Sequence, residues 1–180
     1  QGGTLVYCAA DATAGGSYMP LFQQHSPEPQ ARFDIVTAQY LFPYASTLSA
    51  LQDMCEAAHA ALKPGGALYC VTTCFDPAAP PPRASTALGY RMSWDGAENG
   101  DPLSDGSLVQ LTLVGGGGFE VTFPNVLWSR PTLEAALLGA GFDNVTWVPE
   151  QVSAEGEAWG VGARADFGMC GYLACRKGVV

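Results

Sequence analysis

Apolar positions fall along the chain in short groups whose spacing changes from one to the next. Thr4 to Ala10, TLVYCAA, is an unbroken apolar run that ends at Asp11, and Phe33 to Tyr40, FDIVTAQY, is a second with Ile35 and Val36 at its centre. Runs of this length predict strands buried on both faces. Thr13 to Arg32, rich in Gly, Ser, Pro and Gln, is a long loop that either holds a short helix or covers a site. From Leu48 the period lengthens: Leu48, Leu51, Cys55, Ala58 and Leu62 make one inward stripe of a helix that Ser46 or Thr47 can cap. Lys63 suits the negative end of that helix, Pro64 cannot continue it, and Gly65 and Gly66 supply the angles for reversal. Ala67 to Cys74 is then a third strand. Strand, helix and strand in that rhythm predict a parallel βαβ crossover and an α/β sheet.

Pro77, Pro80, Pro81 and Pro82 exclude regular structure from the linker Phe75 to Ala87. Beyond it Tyr90 to Trp94, Ser107 to Val114 and Phe119 to Trp128 alternate in part between apolar and polar residues, which predicts antiparallel strands added to the parallel core. Pro131 near a start, Leu133, Ala136, Leu137 and Ala140 on one face, and Gly141 past the end predict a second helix. Phe142 to Val148 and Met169 to Cys175 are the last two strands, and the loop Pro149 to Gly168 between them could return as a hairpin.

At 180 residues, 48% of them apolar, the chain is long enough for one domain with a core. No apolar run approaches the roughly 18 to 20 residues of a membrane span, and the first residues lack a secretory basic region. Eight basic against seventeen acidic residues give a net charge of -9. That balance works against nucleic acid and anionic membranes as partners and favours a neutral or cationic small molecule. The cysteines Cys8, Cys55, Cys70, Cys74, Cys170 and Cys175 form no CxxC, so zinc knuckles are not indicated. Their apolar settings predict buried free thiols in a reducing compartment, hence a cytoplasmic protein.

Gly115 to Gly118 is followed by FEVTF, a strand, and so predicts a hairpin turn and not a phosphate loop, which must open a helix. His25 and His59 are the only histidines, too few for a metal centre or a serine triad, and neither GxSxG nor HExxH occurs. No metal is expected, and no catalytic residue is singled out.

An ordered set of short features remains: Ala10-Asp11-Ala12, then Phe33-Asp34-Ile35-Val36 followed by Leu41-Phe42-Pro43-Tyr44-Ala45, then Leu62-Lys63-Pro64-Gly65-Gly66, then Gly139-Ala140-Gly141-Phe142. In this order they resemble the C-terminal two-thirds of a class I S-adenosylmethionine-dependent methyltransferase, from about Leu5 to Arg176, with Asp76 to Trp128 matching only loosely. The resemblance implies a Rossmann-like, mostly parallel sheet of strand order 3-2-1-4-5-7-6 with an antiparallel last strand. It implies one methyltransferase-like domain over 1–180 with an inserted substrate cover over 76–128. The implied cofactor is S-adenosylmethionine: Asp11 and Ala12 match the residues that meet its adenine, and Ala38, Gln39 and Tyr40 match those beside its methionine part. Asp34 and LKPGG are scaffold.

The family's glycine-rich loop and ribose-binding acid belong before Leu5. The chain does not begin with Met, so it is expected to be a fragment or truncation, incomplete at the N-terminus, with any organelle address lying outside it. Two absent strands would leave sheet edges and an apolar face exposed. Weak cofactor binding by calorimetry is the expected outcome. Alignment can supply most of the catalysis of methyl transfer, so a base is not required. In the cover segment Tyr90, Trp94, Asp95 and Trp128, with Phe123, are substrate candidates, because aromatics and one acid can hold an amine or a small hydroxylated aromatic. Asp95 would serve as a base only if buried. The expected function is methylation of an oxygen or nitrogen of a small molecule. The alternatives are a non-catalytic, partner-binding module of the same fold and a nicotinamide-dependent oxidoreductase.

Overall fold

The computed structural model describes residues 7, 9–12, 32–78, 84–85, 89–149 and 170–179. The strand expected at 4–10 lies mostly outside them; Tyr7, Ala9 and Ala10, which are described, form no strand. The loop expected at 13–32 and the return at 149–168 also lie outside them, apart from Arg32 and Pro149.

FDIVTAQ forms strand β1 (Phe33–Gln39). A 3-10 turn over Phe42–Tyr44 leads to helix α1 (Leu48–Ala61), whose cap is Thr47: its Oγ1 accepts from the Ala50 N–H at 3.1 Å. Leu51, Met54, Cys55, Ala57, Ala58 and Ala61 are its buried side, whereas Leu48 is 57% exposed and stands outside the stripe. The first turn of the helix overhangs the edge of the core. Leu62 is buried, but as the first residue of strand β2 (Leu62–Phe75), which begins earlier than the spacing of apolar residues implies. Lys63 does not serve the helix end: it pairs with Asp34 at 2.9 Å. Lys177 takes that role, its ammonium donating to the carbonyls of His59 and Leu62 at 3.0 and 3.1 Å.

Pro64, Gly65 and Gly66 work as an irregularity inside the β1/β2 ladder, between the pairs Phe33–Leu62 and Ile35–Ala67. Gly65 sits at φ 76°, and a Cβ on Gly66 would lie 2.9 Å from the Lys63 carbonyl. Only glycine fits both positions.

The remaining strands are β3 (Ala84–Ser85), β4 (Tyr90–Trp94), β5 (Ser107–Val114), β6 (Glu120–Ser129), β7 (Phe142–Val148) and β8 (Cys170–Lys177). Helix α2 (Arg130–Gly139) lies between β6 and β7, capped by Ser129 and ended by Gly141 at φ 96°. β1 is parallel to β2, β8 antiparallel to β2, and β7 antiparallel to β8. The order β1-β2-β8-β7 is therefore the 4-5-7-6 half of the expected sheet, with the expected reversed strand. β3, β4, β5 and β6 form an antiparallel meander, as the alternation predicts. It joins the main sheet where Cys74–Phe75 of β2 run parallel to Trp128–Ser129 of β6.

The two faces of the main sheet differ. Ala38, Leu68, Cys70, Thr72, Cys74, Leu173 and Cys175 lie on one face, buried beneath α1 and α2. In register on the other face are Ile35 (57% exposed), Tyr69 (48%), Val148 (47%) and Tyr172 (39%). Ile35 is thus not the buried centre of a strand. A parallel sheet is normally covered on both sides, whereas this face carries several exposed apolar side chains. A second, smaller core of Phe75, Tyr90, Met92, Val109, Leu111 and Leu127 belongs to the added sheet.

Candidate functional site

Ligands of open α/β sheets bind outside the carboxyl ends of the parallel strands. Here that end is built by the last residues of β1 and β2. Gln39 pairs with Val71, and Tyr40 then leaves the strand with its N–H bonded to the Val71 carbonyl at 2.7 Å. Tyr40 has φ 51°, a left-handed conformation that is uncommon for a tyrosine and concentrates at functional positions. β2 runs on for four residues past Val71 to Phe75. This overshoot meets β6, so the added sheet sits over the carboxyl end of β1. The indole of Trp128 fixes the contact, donating to the Ala45 carbonyl at 3.3 Å just after the 3-10 turn.

Of the expected cofactor residues, Ala38 and Gln39 end β1 and Tyr40 follows them. Ala38 is buried in the main core, while Gln39 and Tyr40 are exposed at the strand end. Asp11 is exposed, and Ala12 packs against the same core that contains Ala38 and Phe42.

The substrate candidates separate. Trp128 is 4% exposed and belongs to the main core, and Tyr90 is 3% exposed within the second core. Trp94 is half-buried against that core, with its indole N–H donating to the Asp101 carbonyl at 3.1 Å. Tyr90 and Trp94 pack the added sheet, and Trp128 packs the main core. Asp95 is exposed, so it lacks the burial that a general base would need.

Other residues at this end escape sequence reasoning. Tyr44 is 66% exposed on a turn whose other members, Phe42 and Pro43, are buried. Its only sequence signal is its place within LFPYA. Asp105 holds the start of α2: one carboxylate oxygen accepts from the Ser129 N–H at 2.6 Å, and the other from the Ser129 and Thr132 hydroxyls at 3.0 and 2.7 Å. In the sequence, Asp105-Gly106 reads only as a turn. Arg130 stacks over Trp147 at 5.1 Å, and the Trp147 indole donates to Glu134. The Thr73 hydroxyl and Arg130 Nε are buried without a hydrogen-bond partner among the described residues.

Cys55, Cys70 and Cys175 are free thiols and, like Cys74, are buried, as expected. Burial pushes the Cys55 and Cys175 thiols up to about 12, and burial with neighbouring thiols raises Cys70 also. Such thiols stay protonated and are poor nucleophiles. Among the described residues, no cluster of His, Cys, Asp and Glu is placed to hold a metal ion, and no helix is long and apolar enough to cross a membrane.

No protein-family model matches the chain, and no curated protein does. Solved structures share its fold. A Listeria monocytogenes protein assigned to the S-adenosylmethionine-dependent methyltransferases superposes with a TM-score of 0.52 at 18% identity, covering 84% of this chain and 64% of that one. An S-adenosylmethionine-dependent methyltransferase of Clostridium acetobutylicum follows, with TM-score 0.49, 12% identity, and 95% and 64% of the two chains covered. DesVI of Streptomyces venezuelae gives 0.48, 15%, 83% and 61%. The match to the Listeria protein and the strand order carry the assignment: this chain has the class I S-adenosylmethionine-dependent methyltransferase fold. It spans 61% to 64% of the length of these three structures.

Proposed function

We propose that the protein transfers a methyl group from S-adenosylmethionine to an oxygen or nitrogen of a small molecule. The observation that carries this reading is the carboxyl end of β1, where Ala38, Gln39 and the left-handed Tyr40 stand beneath an added sheet seated on β2. When bound, the cofactor supplies an electrophilic methyl group on a sulfonium. In this proposal Asp11 and Ala12 meet its adenine, and Ala38, Gln39 and Tyr40 border its methionine part. The added sheet covers the acceptor and limits water.

A second reading, a partner-binding module without activity, draws support from the open apolar face that carries Ile35, Tyr69, Val148 and Tyr172. Thermal unfolding with S-adenosylhomocysteine or NADH separates the readings. On the full-length protein, which would include the glycine-rich loop that the resemblance implies, a rise in Tm with S-adenosylhomocysteine alone is the expected result, since a ligand at about 100 times its Kd adds roughly 2.7 kcal/mol. A response to NADH alone would point to an oxidoreductase, and no response to either would favour the module.

A further inference from the structure

We draw no further inference here: the strongest candidate, the exposed apolar face of the main sheet that carries Ile35, Tyr69, Val148 and Tyr172, carries none because nothing in the structure shows what covers it.

Discussion

Gly171 shows how closely β7 and β8 are fitted to β2. A Cβ there would lie 2.3 Å from the Trp147 ring and 2.7 Å from the Cys74 sulfur, distances that real side chains do not reach. Gly171→Val should therefore lower stability by about 1–3 kcal/mol or more in urea unfolding. His59 makes a different point. Its ring packs edge-on against Phe142 at 5.1 Å, and burial first, then Lys177, holds its pKa below the ordinary 6.5. A depressed pKa means that the unfolded chain takes up the proton first. Stability is then full above pH 6.5 and falls as the pH drops through the folded value. His59→Gln should flatten that slope between about pH 7 and pH 5, read from urea midpoints at each pH. Apolar spacing alone predicts the helix that carries His59, and the structure agrees. The burial of Trp128 was not legible, because the last residues of β6 leave the added sheet for the main core and no local spacing marks that transfer.

Among the elements, α2 shows a cap borrowed from far along the chain. Ser129 is its N-cap, but the carboxylate that orders Ser129 and Thr132 belongs to Asp105, on the loop before β5. Asp105→Ala leaves the N–H of a residue only 3% exposed without its partner, which should cost about 1–3 kcal/mol. A double-mutant cycle with Thr132→Ala should return a coupling of about 0.5–3 kcal/mol, and additivity within about 0.5 kcal/mol would refute the latch. Both helices were legible in outline, α1 from its apolar stripe and Thr47 cap and α2 from Pro131 and the Gly141 stop, because these are local signals. The cap from Asp105 and the one from Lys177 to α1 were not, because each joins residues more than twenty positions apart. Likewise Lys63 looked like a helix-end cation until the turn at Gly65 brought it to Asp34.

For the whole molecule, the βαβ crossover, the reversed β8 and the meander were readable from apolar spacing together with the resemblance. The exposure of β1 was not readable from its own residues, since FDIV has the composition of a covered strand. Ile35, Tyr69, Val148 and Tyr172 share one face and form a diagonal row across all four strands of the main sheet, since Ile35 is opposite Ala67, Tyr69 opposite Thr37 and Ala174, and Tyr172 opposite Val71 and Val148. The folded chain should therefore bind an environment-sensitive apolar dye, and Ile35→Thr with Tyr172→Thr should reduce the fluorescence while leaving the urea midpoint within about 0.5 kcal/mol of the parent. Unchanged fluorescence would show that this row does not meet solvent.

The point where the two sheets meet also bears on how such a domain can diversify. The chain leaves the main sheet at Phe75 and returns at Ser129, and these two residues are ladder partners. The departure and the return are thus one strand spacing apart, about 4.8 Å. Everything between them is a graft on a single doorway. Insertions, deletions or wholesale exchange of that segment need not move the strands that receive it.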